Sequence, residues 1–378
     1  MKKNYLYIFN RENKHYSLPN VIVLTTLLLV LLASIQTASA LNRNGVAYMP
    51  IPKTNQVQVY DFKTHTVLKT IDNVGTRPIV IKALPDRSKV YVDNFGPFSN
   101  DFTVIDTATD RVIKKIKTSG TPWAAMEMSS DGRYFYIPTT NNVVQVVDTR
   151  IDEIVATWNL NGTPSSILLN PNDDELYVFY VNNTIEAYST ATGKVIKPSI
   201  SIRGLVAGWA TSNPQGTKIY SINTLSDDVS VIDVNTWSVT KVIKLGFGQF
   251  PISATVKPGT SDLYVVNTGT YRPLASISVI DMNSDTIVGK VDVAESAVHI
   301  SFRGRGNKAY LSTIGPQSAN WSGSRFIFHS LFYFINTGYG SAIEFDTSGR
   351  LPVRTNRQTL FNSAPIAGAY FHKYDPVW

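Results

Sequence analysis

The stretch Val229–Pro251, VSVIDVNTWSVTKVIKLGFGQFP, reads as an apolar strand ending in Asp233, a polar turn, a second strand, and a Gly-containing loop closed by Pro. The pattern recurs. Val57–Pro78 (VQVYDFKTHTVLKTIDNVGTRP), Phe102–Pro122 (FTVIDTATDRVIKKIKTSGTP), Val144–Pro164 (VQVVDTRIDEIVATWNLNGTP) and Ile277–Val293 (ISVIDMNSDTIVGKVDV) repeat it. A second motif opens the series as VAYMPI at Val46 and precedes the later copies as KVYVDN at Lys89, YFYIPT at Tyr134, ELYVFY at Glu175, KIYSIN at Lys218, DLYVVN at Asp262 and KAYLST at Lys308. Its tyrosines, Tyr48, Tyr91, Tyr136, Tyr177, Tyr220, Tyr264 and Tyr310, are spaced 43, 45, 41, 43, 44 and 46 residues apart.

Seven copies of this length, each built only of short strands, predict an all-β fold: a seven-bladed β-propeller of four-stranded blades. The runs VIKALP, SVIDV and KVIKL are apolar almost throughout, which suits a blade packed between two neighbours. Asp61, Asp106, Asp148, Asp233, Asp281 and Asp346 close the third strand, where a carboxylate accepts backbone N–H groups two residues on and fixes the turn. Ser189 takes that place in the fourth copy. Pro78, Pro122, Pro164 and Pro251 open the innermost strand, where a missing N–H costs least. The first copy lacks an inner strand, and the C-terminal SAPIAGAYFHKYDPVW supplies one without a Tyr strand after it. The C-terminal strand is therefore expected to complete the first blade, closing the ring and removing two sheet edges.

Residues 1–40 differ in character. Lys2, Lys3, Arg11 and Lys14 precede the apolar run Val21–Ile35, and Ala38-Ser39-Ala40 follows. This is the anatomy of a signal peptide, with an uncleaved anchor as the alternative. The expectation is an exported protein, periplasmic, secreted or at the cell surface, with the propeller over 41–378. Without the leader the chain has 31 Lys+Arg and 27 Asp+Glu, scattered rather than clustered. That balance implies neither nucleic acid nor a polybasic membrane anchor. The absence of Cys removes disulfides and thiolate metal sites.

The combination of YVxN at Tyr91 and Tyr264, VxVID, Gly-x-Pro and PDG-like turns resembles the YVTN, or YncE-like, β-propeller family. The resemblance covers essentially the whole chain after the leader, although the tetrapeptide is lost in the other copies. It implies a seven-bladed propeller outside the cytoplasm and does not imply one activity.

Function is sought where the repeat is broken. The loop before the inner strand and the loop after the Tyr strand are expected to share one face. Three loops there are long: Asn94–Asp101, Asn267–Ala275, and an aromatic insertion over 314–340 containing SRFIFHSLFYFI, readable as helix or hairpin. The insertion reads as a cap on the seventh blade, a lid over a ligand, or a contact for a partner or membrane surface. By position, Arg77, Trp123, Trp209, Tyr271 and Arg272 are ligand-binding candidates at the channel mouth, with His299 below them and Trp321 and His329 in the insertion. His299 and His372 fall roughly 16 Å apart along the channel, too far to share an ion. Asn172-Asp173-Asp174 and Ser226-Asp227-Asp228 offer calcium ligands or simply solvated turns. No GxSxG, HExxH or phosphate-binding loop occurs. No catalytic residue, metal or cofactor is therefore assigned. The expected function is a monomeric exported scaffold binding a protein, glycan or small ligand on its loop face. The alternative is a hydrolase or lactonase-like enzyme with its site under the insertion.

Overall fold

The computed structural model describes residues 45–95, 99–122, 125–270, 275–315, 318, 339–361 and 368–371. All lie in the second of the two units into which the chain divides, Arg43–Trp378. They form seven antiparallel sheets of four strands each. The innermost strands are Pro78–Ala83, Glu127–Met128, Pro164–Leu169, Ala207–Ser212, Pro251–Val256, Ala297–Arg303 and, for the first blade, Ala369–Phe371. Next outward come the Tyr strands, from Val46–Ile51 to Lys308–Thr313, then the Asp-ending strands, then the rim strands. The fold is the expected β-propeller, and its ring closes as anticipated: Ala369, Tyr370 and Phe371 pair with Tyr48, Ala47 and Val46.

The core is not one mass but seven seams. Each apolar cluster joins two neighbouring blades; the second and third blades, for example, share Tyr91, Phe102 and Val104 with Met126, Phe135 and Ile137. The last cluster joins the seventh blade to the first, where the Phe62 and Tyr310 rings lie 4.2 Å apart. The rim strands depart from the expectation of two buried faces. Ser238–Lys244 and Arg111–Lys117 alternate exposed and half-buried residues, because radial blades diverge with distance from the axis and leave the rim in water.

The strand-ending aspartates act as their position predicts. The N–H of Lys63 donates to Asp61 at 2.7 Å, that of Arg150 to Asp148 at 3.0 Å, and that of Asn283 to Asp281 at 2.8 Å. At Ser189 the backbone carries the turn alone, with Gly193 N–H donating to the Ser189 carbonyl at 2.8 Å.

The repeated tyrosines do more than fill space. Each is buried, and most reach with the hydroxyl into the outer turn of the next blade. Tyr48 donates to Asp110, Tyr91 to Asp152, and Tyr220 to Asp285 at 2.5 Å, while Tyr264 donates to the Arg350 carbonyl at 2.6 Å. Asp110, Asp152 and Asp285 are held at φ of 52°, 54° and 54°, a left-handed turn position that Asp tolerates better than most residues. The Lys two residues before the Tyr reinforces the joint: Lys89 reaches Asp152 and Lys218 reaches Asp285, both at 2.6 Å. Rim lysines add a further tie, Lys69 to the Thr109 carbonyl at 2.9 Å and Lys114 to the Ile151 carbonyl at 3.1 Å. Burial followed by the Asp152 carboxylate pushes the Tyr91 hydroxyl far above the ordinary phenol range, so it remains a donor.

Hydrogen bonds to charged groups contribute about 1.5–3 kcal/mol each. Tyr91→Phe is therefore expected to lower the unfolding free energy by about that amount, measured by urea denaturation. Asp152→Ala should lower it further, since it also removes the ion pair with Lys89. An unchanged midpoint in both variants would show that the joint is incidental.

Candidate functional site

The inner strands place two rings of side chains around the axis. In five of them the pairing slips by one residue after the first position, at Pro78/Val80, Pro164/Ser166, Ala207/Trp209, Pro251/Ser253 and Ala297/His299. Such bulges re-aim the side chains that follow. They bring Val80, Ser166, Trp209, Ser253 and His299 to one level, opposite the residue two beyond each repeated Tyr. Two residues deeper, opposite the Tyr itself, lie Lys82, Glu127, Leu168, Thr211, Thr255 and Ser301. The levels are about 6.6 Å apart at the usual strand rise.

The upper level sets Val80 and Trp209 among polar side chains that are only partly satisfied. Ser253 donates to the Val298 carbonyl at 2.8 Å. The Ser166 hydroxyl, at the same register, has no hydrogen-bond partner, and neither has His299 Nδ1. Buried polar atoms are rarely left unbonded, because each forfeits about 1–3 kcal/mol of solvation. The His299 ring packs 5.4 Å from that of Trp209. This contact joins the fifth and seventh blades across the inner strand of the sixth, so both rings stand inside the ring of blades. Burial, with Lys82 adding, holds the His299 imidazole down at about 4, and it is neutral at physiological pH.

At the lower level Lys82 Nζ and Glu127 Oε2 face each other at 3.8 Å. Burial pushes the Glu127 carboxyl up; Lys82 opposes this and Asp173 adds to it.

The face carrying the loops is held rigid. Arg77, Val206 and Phe250, each immediately before an inner strand, have φ of 53°, 55° and 48°. That region is unfavourable for a bulky residue and most of all for a β-branched one. Side-chain oxygens of the preceding blade hold their N–H groups: Asn55 takes Arg77 at 2.8 Å, Asn183 takes Val206 at 2.8 Å, and Asp227 takes Phe250 at 2.7 Å. These bonds place the loops before the inner strands and after the Tyr strands on one face.

Among the position-based candidates, the structure brings Trp209 and His299 together and sets Arg77 on the loop face. Trp123, Tyr271, Arg272, Trp321 and His329 lie outside the described residues, as do His372 and most of the 314–340 insertion. Sequence reasoning did not single out Ser166, Lys82 or Glu127. The two acidic turns hold protein donors instead of open ligand sites: Asp173 accepts from the N–H and hydroxyl of Ser130 at 2.7 and 2.5 Å, and Asp228 from Asn223 and Lys244 at 2.7 and 2.5 Å. Among the described residues no cluster of His and acids is arranged to hold a metal ion.

One further group stands apart. Asp93, in the Tyr strand of the second blade, is fully buried with neither carboxylate oxygen hydrogen-bonded. The other blades carry Pro50, Pro138, Phe179, Ile222, Val266 and Ser312 at its position. Burial, then the nearby Asp101, raises its pKa well above the carboxylate range.

This architecture defines the class: a seven-bladed β-propeller with a polar, incompletely satisfied channel. The profile of the cytochrome D1 heme domain family matches residues 38–173, less than half the chain, covering the first three blades and ending within the fourth. No curated protein matches the sequence. Among solved structures, the dihydro-heme d1 dehydrogenase NirN in complex with DHE is similar over 85% of this chain and 74% of its own, with a TM-score of 0.60 and 13% identity. A functionally unknown protein from Desulfotomaculum acetoxidans DSM 771 is similar over 87% and 99%, with a TM-score of 0.68 and 13% identity. Hydrazine synthase of Kuenenia stuttgartiensis is similar over 71% and 76%, with a TM-score of 0.58 and 16% identity. At such identities the likeness is one of fold.

Proposed function

We propose that the chain is an exported, YVTN-like β-propeller that holds a small ligand in the loop-face mouth of its channel and performs no chemistry of its own. The observation that carries this reading is the upper channel level, where Ser166 and His299 leave polar atoms unbonded beside the Trp209 ring. A few polar groups converging beside an aromatic ring are the usual lining of a ligand site. The strained residues around the mouth, fixed by the preceding blades, support preorganisation. The export arm rests on the basic and apolar leader and is tested by fractionating cells that produce the full chain. Full-length protein retained in the cytoplasm contradicts it.

A tetrapyrrole is the second reading, favoured by the likeness to heme d1 proteins and by His299 Nδ1, a buried nitrogen with no competing bond. The fit is partial. His299 lies outside the matched segment 38–173, and Trp209 stands against its ring, where a macrocycle needs room. No step is assigned to such a group.

The full chain, screened by thermal shift against small carboxylates, sugars and heme, is expected to be stabilised by at least one of them. A ligand at about 100 times its Kd adds about 2.7 kcal/mol. The shift should vanish in Trp209→Ala and His299→Ala. No shift with any compound, or equal shifts in both variants, contradicts the reading.

A further inference from the structure

We infer that the ligand of this channel carries a carboxylate, received by Lys82 below a planar body that lies against Trp209. The inference rests on the channel reading above and goes beyond it by naming a ligand class. Its starting point is the incomplete pairing of Lys82. That side chain is only 15% exposed, yet among the described residues its ion pair is with Glu127 alone and spans 3.8 Å, longer than a hydrogen bond. A buried ammonium has three N–H donors to satisfy, and removing it from water without fixed acceptors is expensive. Burial works against the charged form of Glu127 while Lys82 supports it, and the two groups do not close to hydrogen-bond distance. His299, neutral above it, neither competes for the acceptor nor repels a cation. The lower level thus presents unfilled ammonium donors, with the Thr211 and Ser301 hydroxyls at the same register.

The geometry fixes the rest of the ligand. The levels are about 6.6 Å apart, a separation spanned by a single ring bearing a carboxylate directly or through one carbon. With the carboxylate at Lys82, the ring comes level with Trp209, Ser166 and His299. There the indole face stacks on it, and the unbonded Ser166 hydroxyl and His299 Nδ1 meet any polar substituent. An aromatic monocarboxylate fits this arrangement; a simple inorganic anion leaves the upper level unfilled.

The test uses the full chain with three probes: benzoate, its uncharged analogue benzamide, and acetate, which has the charge without the ring. Calorimetric titration is expected to show benzoate binding at least tenfold more tightly than either. Lys82→Met alone leaves Glu127 buried without its cation, so Lys82→Met/Glu127→Gln is the decisive variant and Lys82→Arg its control. The double variant should lose the tenfold preference for benzoate over benzamide, and the Arg variant should keep it. Equal binding of benzoate and benzamide overturns the inference, as does benzoate binding unchanged in the double variant. If all three probes fail while another compound binds in a Trp209-dependent manner, the carboxylate assignment falls and the channel reading stands. If nothing binds at all, the channel reading itself falls.

Discussion

Asp93→Val is expected to make the protein more stable at neutral pH by about 1–3 kcal/mol, the usual penalty for a buried polar group without a partner. Val is the residue of the sixth blade at this position, Val266, so the backbone already tolerates it. The neighbours favour the change. Val80 lies beside Asp93 on the inner strand and Phe102 on the third, while the facing blade contributes Phe135 and Ile137. The charged group that acts on it is Asp101, on the third strand. Its negative charge adds to the upward shift that burial begins.

The sign follows from proton binding. The folded state holds the Asp93 proton to higher pH than the unfolded chain, in which an Asp titrates near 3.9. Stability is therefore fully present below about pH 4 and declines as pH rises towards the folded value. Asp93→Val and Asp93→Asn should both remove that decline, and only Val should also recover the desolvation term. Urea unfolding of the three proteins between pH 4 and 9 measures this. Parallel curves for wild type and Asp93→Asn would mean that Asp93 binds its proton equally in the folded and unfolded states, contradicting the upward shift. A residue kept at such an expense has a use or is a relic, and the stabilised variant's ligand binding separates the two.

The second large effect concerns closure. Ending the chain before Ala369 removes the strand that pairs with Val46, Ala47 and Tyr48. It leaves Val46–Ile51, buried along its whole length, as an open edge. Exposed apolar edges recruit other strands, and a ring lacking one inner strand loses cooperativity between its first and last blades. The truncated chain is expected to lose its cooperative melting transition and to associate, as read by light scattering and circular dichroism. A truncated chain with an unchanged melting temperature and no added association would contradict the closure.

Most of the fold is legible in the sequence because it is periodic: tyrosines, terminal aspartates and strand-opening residues recur at constant offsets, and each offset has a backbone reason. The joints between blades were harder to read. Asp110, Asp152 and Asp285 look like ordinary turn residues, and only the structure shows a tyrosine of the preceding blade aimed at each. The sign was present in the Lys-x-Tyr of KVY and KIY, whose lysine and tyrosine share one acid. Pro122 opens a ladder in sequence but forms only an isolated bridge, to Thr139. The partner strand contains Pro138, which has no N–H to give, and among the described residues the inner strand of the third blade is Glu127–Met128.

At the channel, counting residues from the strand start located Trp209 and His299 because both are conspicuous types. Ser166, Lys82 and Glu127 are commonplace residues whose importance depends on a one-residue bulge and on what fails to bond with them. Neither property is written in a single sequence. Asp93 was visible as the odd member of YVDN, but its complete burial was not.

The central claim is that the upper channel level is built to hold a ligand, and a crystal structure of the full chain as purified from its exporting cells tests it most directly. The account predicts continuous density larger than water against the Trp209 ring, within hydrogen-bond distance of Ser166 Oγ and His299 Nδ1. Ordered water alone at those two atoms, or a direct bond from each to protein, would contradict it.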